Sequence, residues 1–432
     1  MFTSLGPIHG PVLQLEGNDV QQSLDDIRKM DAVDPLRNFR DEFILPEGLI
    51  YLDGNSLGAA PKLALEELQR VADVEWSTDL IKSWNTAKWF ELPLELGDAV
   101  GRLIGAAPGQ VAVSDSTSVN LFKALSAALS LNPGRKTIVA EASSFPTDVY
   151  VTEGLVNSHP DTKLLLEGVD GDSISSLLGP DVAVVLINHV NYRTGRLHDM
   201  EALTREAHDH GALVVWDLCH SAGALDVKLD ASNCDFAVGC TYKYLNGGPG
   251  APAFIYAAER HIAAARQPLS GWWGHARPFA FETNYAANPG IAKFLCGTQP
   301  ILSLRSLKGS MMLWNRVDMA ALREKSLALT DLFIALVEDR CAGHGLQLIT
   351  PRDHAERGSQ VTFTHPNSYQ IMQALIARDV IGDFRAPDAL RFGFTPLYLG
   401  YEDVWNAVEI LRDILETGSW QDARYAAVNA VT

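Results

Sequence analysis

An acid and an amine stand out for the chemistry they could do together. Asp217 opens Asp-Leu-Cys-His at 217–220, and Lys243 sits in Tyr-Lys-Tyr-Leu-Asn at 242–246. Residues 212–216 form a short apolar run ending at the acid, and residues 236–239 form another before the lysine. Such runs read as buried parallel strands. Open α/β sheets place their ligands at the carboxyl ends of strands. An acid and an amine at two such ends suit a cofactor with a basic ring nitrogen and an aldehyde. Pyridoxal phosphate is that cofactor: the lysine forms the Schiff base and the acid pairs with the pyridinium nitrogen. Taken singly, the lysine reads equally as a solvated side chain and the aspartate as a cap or turn residue.

The elements that would position this pair can be read along the chain. Residues 110–113 read as a strand, followed by Ser-Asp-Ser-Thr-Ser-Val-Asn at 114–120 and an apolar helix over 121–131. A strand that runs through small hydroxyl residues into a helix makes a phosphate seat. The helix N-terminus offers free N–H groups, and Thr117 and Ser118 add hydroxyls. Ordinary N-capping by Ser116 or Thr117 explains the same residues. A strand over 136–140 precedes Ser-Ser-Phe-Pro-Thr-Asp at 143–148, where Phe145 could stack on a flat ring and Asp148 could reach the same ligand. A turn and helix start is the plainer reading. Further strands fall at 163–166 and 182–187, the second ending at Asn188, and an amphipathic helix covers 199–210. From 110 to 256 the unit strand, polar tip, helix repeats, which predicts a mostly parallel sheet covered on both faces. Thr117, Ser118, Phe145, Asp148, Asn188, Asp217, His220 and Lys243 then gather on one edge. One polar tip is noise; several of complementary type make a site.

Outside this unit the pattern is looser. Residues 1–17 lack periodicity and read as a loose tail. A helical pattern runs over 20–40, interrupted at Asp34-Pro35, and residues 50–52 read as a short strand. Asp-Gly-Asn-Ser-Leu-Gly at 53–58 is a turn rich in residues that tolerate positive φ. It either lays N–H groups against an anion or is simply a turn. Residues 61–79 predict an amphipathic helix opening with proline, and 97–104 another. Trp84 and Trp89 lie in a polar stretch and read as core anchors, or as neighbours of an aryl substrate. After 256, Ser-Gly-Trp-Trp-Gly-His at 270–275 and Gly-Thr-Gln-Pro at 297–300 lie outside the sheet, able to reach their own site or a twin subunit's. A long helix over 320–343 would tie this part to an α+β segment with strands at 346–349, 360–364, 380–385 and 390–393 and helices at 368–378 and 402–417. Arg391 alternates with apolar neighbours. Its guanidinium must find an anion there, either a substrate carboxylate or a structural partner.

Composition excludes other classes. The 432-residue chain is 47% hydrophobic and 20% charged, ordinary for a globular protein of two or more segments. A net charge of −18 argues against nucleic acid or an anionic membrane as partner. No apolar run is long enough to span a bilayer, and no secretory signal is visible. Five cysteines, odd in number and irregular in spacing, predict free thiols in a reducing cytoplasm and no zinc site.

These pieces together resemble the kynureninases, pyridoxal-phosphate enzymes of the aspartate-aminotransferase fold (fold type I). The likeness runs from about 34 to 417. It is carried by Tyr-Leu-Asp-Gly-Asn-Ser-Leu-Gly at 51–58, Phe-Pro-Thr-Asp at 145–148, Asp-Leu-Cys-His at 217–220, Tyr-Lys-Tyr-Leu-Asn at 242–246, Gly-Trp-Trp-Gly-His at 271–275 and Leu-Arg-Phe-Gly-Phe-Thr-Pro-Leu-Tyr at 390–398. The resemblance implies an N-terminal arm over 1–60, a large cofactor-binding α/β domain over 61–318 and a smaller α+β domain over 319–432. It makes Lys243 the Schiff-base lysine, Asp217 the pyridinium partner and His220 a donor to the cofactor's phenolic oxygen. Thr117, Ser118 and Tyr242 match phosphate-side contacts, Phe145 the stacking position, and Asp148 and Asn188 further cofactor contacts. Trp272 and Thr298 match positions that reach the phosphate from the other subunit, so a homodimer is implied. Arg391 matches the binder of the substrate carboxylate, and Ser56 and Trp84 resemble substrate-pocket positions. Tyr242 is the candidate proton shuttle. Animal relatives carry a histidine near Trp84; residues 73–90 hold none, which fits the bacterial type. The implied reaction is hydrolysis of L-kynurenine, and its 3-hydroxy form, to anthranilate or 3-hydroxyanthranilate and L-alanine in tryptophan degradation. The alternative on the same scaffold is a cysteine desulfurase, which would need a catalytic cysteine on a mobile loop; neither Cys296 nor Cys341 sits in a small polar segment.

Overall fold

The computed structural model describes residues 23–168 and 173–427. The tail expected over 1–17 therefore lies outside the described residues. Seven strands form the central sheet: β1 Val111–Val113, β2 Thr137–Glu141, β3 Lys163–Glu167, β4 Val182–Asn188, β5 Leu213–Asp217, β6 Phe236–Gly239 and β7 Phe254–Ala257. Their order is β1-β7-β6-β5-β4-β2-β3. Only β7 runs antiparallel to its neighbours; every other pairing is parallel.

β4 shows why such a sheet must be covered twice. All its residues are buried. Val185 and Ile187 join one apolar cluster while Val184 and Leu186 join another, because successive side chains on a strand point to opposite faces. The mostly parallel, doubly covered sheet expected from the repeat is what forms. Asp235, just before β6, anchors it from below. Its buried carboxylate takes His208, Arg260 and His261, each at 2.7 Å, and the Val214 amide at 2.8 Å. Burial alone would raise this carboxyl; hydrogen bonds from His208 and His261 outweigh that and hold it far below the usual range.

The helix expected over 61–79 forms with a change of winding. Lys62–Arg70 (α1) is α-helical with Pro61 as its N-cap, and Val71–Asp79 continues in the wider π form. The turned-in residue there is Glu75, whose carboxylate binds the buried Arg305 guanidinium and the Trp89 indole at 2.7 Å. Thr117–Leu131 (α2), Pro146–Asn157 (α3) and Met200–Asp209 (α4) are the helices expected between strands. Ile301–Trp314 (α5) was not expected. It is buried on nearly every side, from Leu304 to Trp314, so no polar stripe marks its period. Gly309 is needed there, because a Cβ would lie 2.3 Å from the Leu63 carbonyl oxygen on α1.

Met319–Arg340 (α6) leads into an antiparallel sheet of β8 Gln347–Leu348, β9 Gln360–Thr364, β10 Asp383–Arg385 and β11 Ala389–Gly393, ordered β8-β9-β11-β10. Ser368–Ile376 (α7) and Tyr401–Thr417 (α8) complete this segment. The single strand expected over 380–385 is two: Val380–Ile381 pairs in parallel with Ile50–Tyr51, and β10 pairs with β11. The turn at 53–58 contains no positive φ. Its glycines serve close approach instead: a Cβ on Gly54 would lie 2.2 Å from Thr395 Oγ1, and one on Gly58 2.2 Å from the Lys243 carbonyl oxygen. Among the described residues, no helix is long and apolar enough to cross a membrane and no cluster of metal-ligating side chains forms.

Candidate active site

Parallel register sets the first row of the site. Asn188 at the end of β4 pairs with Asp217 at the end of β5, and Asp217 pairs with Val238 on β6. Lys243 follows on the loop after β6. Asn188 fastens the first turn of α3 to this row: its Nδ2 donates to Asp148 Oδ2 at 2.6 Å, and its Oδ1 accepts from the Phe145 amide at 3.0 Å. Asp148 faces Asp217 across the same row. Burial, then the charge of Asp217, pushes the Asp148 carboxyl well above its ordinary range. Asp217 Oδ1 is fixed by the Cys219 amide at 2.6 Å.

The lysine is held by a chain of hydrogen bonds whose direction is determined. Gln360 Nε2 donates to the Tyr192 carbonyl oxygen at 3.0 Å, so Gln360 Oε1 faces His220 Nδ1 at 3.1 Å. Nδ1 therefore carries the imidazole proton, and Nε2 accepts from Lys243 Nζ at 2.9 Å. Burial and the nearby Lys243 and Arg391 cations push the His220 imidazole well below its usual range, so it stays neutral. Lys243 Nζ lies 5.9 Å from the centroids of both the Phe145 and Tyr242 rings. The charge of Cys240 and then burial hold the Tyr242 phenol far above its ordinary range, so it stays protonated.

The N-terminus of α2 faces the same edge. Ser116 caps it, accepting from the Val119 amide. The first-turn amides of Thr117 and Ser118 have no acceptor within the helix, and Thr117 Oγ1 lies 3.7 Å from Cys219 Sγ.

Arg391 lies on β11 in a second group joined to the first through Tyr192. Its Nε and Nη2 donate to both oxygens of Asp383, Nη2 also to Ser56 Oγ at 2.8 Å, and Nη1 to the Tyr192 carbonyl oxygen at 2.7 Å. Arg385 adds a 2.7 Å contact to Asp383. Burial, then Asp383, raises the neighbouring Asp53 carboxyl to about 7. The Tyr192 ring meets Phe145 edge-on at 5.3 Å.

Three expected residues stand apart from these groups. Trp84 packs on Trp89 and Trp273 at 5.8 and 5.5 Å, and Trp272 on Trp273 at 5.3 Å, in one aromatic cluster with Phe90 and Phe279. Trp272 remains 39% exposed, enough to meet something outside this chain. Thr298 is also exposed, beside Gln299, whose Oε1 accepts from the Asp115 amide near the start of α2. The sequence reading missed Gln360, Tyr192, Asp383 and Arg385. For the last two a signal existed: the short connection over 386–388 between two strands predicts a hairpin, whose register sets Asp383 opposite Arg391.

The donor set matches pyridoxal phosphate group by group: an amine for the aldehyde, a buried carboxyl pair for a basic ring nitrogen, an aromatic face, and a hydroxyl-flanked helix N-terminus for the phosphate. This edge on this sheet defines a pyridoxal-phosphate enzyme of fold type I. Among solved structures, the cysteine desulfurase CsdA (S-sulfonic acid) from Escherichia coli matches with TM-score 0.72 over 88% of this chain and 98% of that one, at 17% identity. The apo cysteine desulfurase of Thermococcus onnurineus NA1 matches with TM-score 0.71 over 92% and 99%, at 18% identity. At such identities the likeness is one of fold. Sequence separates the family. Residues 322–411 match the kynureninase C-terminal domain model. The kynureninase of Burkholderia pseudomallei (strain 1106a) is 54% identical over 93% of this chain and 98% of its own length, and that of Pseudomonas fluorescens 51% over 94% and 99%. The chain belongs to the kynureninase family.

Proposed function

We propose that this chain hydrolyses L-kynurenine to anthranilate and L-alanine, and 3-hydroxy-L-kynurenine to 3-hydroxyanthranilate and L-alanine, in tryptophan degradation. The observation that carries the reading is the Lys243–His220–Gln360 chain standing beside the Asp148–Asp217 pair at the strand ends. Family membership then names the substrate.

Lys243 would hold the cofactor covalently, Asp217 would face its ring nitrogen, Phe145 its ring, and Thr117, Ser118 and the α2 N-terminus its phosphate. When bound, pyridoxal phosphate supplies an aldehyde for the substrate amine and a cationic ring that takes up electron density released at Cα. The protein's own groups do the rest. Arg391, backed by Asp383 and beside Ser56, receives the substrate carboxylate and so fixes which Cα bond is cleaved. Lys243, relieved of a proton, takes the one on Cα; neutral His220 orders it by accepting a hydrogen bond. Asp148 keeps its proton, so the carboxyl pair places a single negative charge at the ring nitrogen. Tyr242, held protonated, delivers a proton at the substrate's reacting centre as water adds to the γ-carbonyl and the Cβ–Cγ bond breaks.

The domains we assign are an arm over 1–60, a large domain over 61–318 and a small domain over 319–432. A homodimer is supported by the exposed Trp272 and Thr298, which would close the phosphate side of the twin's site. Five unpaired cysteines support a reducing cytoplasm.

The test is an absorbance spectrum of the purified protein with pyridoxal phosphate, then anthranilate fluorescence after L-kynurenine. A yellow protein releasing anthranilate is expected. Sulfide from cysteine without anthranilate would move the chain to the desulfurases.

A further inference from the structure

The reaction leaves one reactive pair unused. The parallel register sets Asp217 opposite Val238, with the Leu218 amide on the Val238 carbonyl oxygen at 2.8 Å, and two residues further along each segment stand Cys219 and Cys240. Cys240 Sγ lies 3.9 Å from the Cys219 carbonyl oxygen. That contact sets the Cys240 thiol against the Cys219 backbone. Cys219 is half-buried on the cofactor side, against Thr117, and Cys240 is buried behind it.

We propose that Cys219 and Cys240 form a modification site, a dithiol that hydrogen peroxide converts to a disulfide within the cofactor cradle. Electrostatics supports the order of events. Burial alone would raise the Cys240 thiol, but its neighbours, Cys219 first, outweigh it and bring the thiol below its ordinary value. The Cys240 sulfur attacks one peroxide oxygen, the O–O bond breaks, and the departing hydroxide takes the Cys240 proton as water. The Cys219 sulfur then displaces the hydroxyl from Cys240, and the Cys219 proton leaves with it as a second water. Each sulfur loses one electron and the peroxide gains both.

The link acts where the site is held. The Cys219 amide fixes Asp217, and Cys240 stands two residues before Tyr242 on the loop that carries Lys243. Closing an S–S bond of about 2.05 Å between them draws both segments inward. A misplacement on the order of 1 Å at a catalytic group costs ~10²-fold in rate. Oxidation therefore lowers turnover by about that factor, and a dithiol reductant restores it. The bond itself is independent of the proposed reaction; only the loss of turnover rests on it.

The experiment treats the protein as purified with stoichiometric hydrogen peroxide, blocks remaining thiols with an alkylating agent under denaturing conditions, and maps the tryptic peptides. Cleavage after Arg205, Lys228 and Lys243 puts Cys219 on one peptide and both Cys234 and Cys240 on the next, so fragment ions must assign the partner. The expected result is a Cys219–Cys240 linked pair, two fewer alkylated cysteines, and turnover lost and recovered with the link. Cys219→Ala and Cys219→Ser should form no link and keep their turnover through the same treatment. Peroxide consumption of thiols without that linked pair overturns the proposal. So does a linked protein that turns over at the untreated rate, or inactivation equally severe in both Cys219 variants.

Discussion

Asp383 grips Arg391 from the neighbouring strand, Oδ1 accepting from Nε at 2.7 Å and Oδ2 from Nη2, with both side chains buried. With Ser56 and the Tyr192 carbonyl also engaged, four of the five guanidinium N–H groups are occupied. Arg391 is therefore a prepositioned cation with one donor free rather than an open fork. Asp383→Ala should raise KM for kynurenine at least ~10-fold and cost ~3–5 kcal/mol of stability, because it strands a buried charge. Asp383→Asn should lose less of both. Steady-state kinetics and thermal melts check this; an unchanged KM in the alanine variant would refute the clamp.

Lys243→Ala should abolish turnover and the covalent cofactor adduct seen by mass spectrometry after borohydride reduction. Asp217→Asn should keep cofactor yet lose activity by ~10²-fold or more, since a neutral amide does not stabilise a protonated ring nitrogen. Wild-type rates in either variant would remove these assignments.

Asp53 should impose a pH dependence. Its folded pKa, about 7, lies above its ordinary 3.8. Between these values the folded protein holds a proton that the unfolded chain has released, so stability falls as pH rises from about 4 to 7 and levels off above. Past pH 7 the new negative charge beside Arg391 also competes with the substrate carboxylate, so KM should climb. Asp53→Asn should flatten both curves; melting and KM profiles that still run parallel to wild type would sink the idea.

Gln360 should act through His220. Gln360→Leu leaves the buried His220 Nδ1–H without its acceptor, while the Tyr192 carbonyl oxygen keeps Arg391, costing ~1–3 kcal/mol. The imidazole also loses the bond that fixes its tautomer, so kcat should fall ~10-fold with the alkaline limb of the pH profile displaced. A variant that melts early but keeps the wild-type profile would reduce Gln360 to a packing role.

By itself the sequence determined the strand–tip–helix repeat, and with it a parallel sheet whose polar tips share an edge. Period and turn chemistry are local, and a strand buried on both faces leaves little freedom in where its last residue points. Asp217, Asn188 and Lys243 were legible for that reason. The all-round burial of Ile301–Trp314 hid its helix, and nothing local announced that Gln360, far along the chain, would reach His220. Tertiary structure alone decided the charge states and the pairings. It turned Arg391 toward Asp383, raised the Asp148 carboxyl beside Asp217, and brought Cys240 against the Cys219 backbone. Those outcomes depend on distance and burial between segments remote in sequence, quantities that residue types and spacings do not contain.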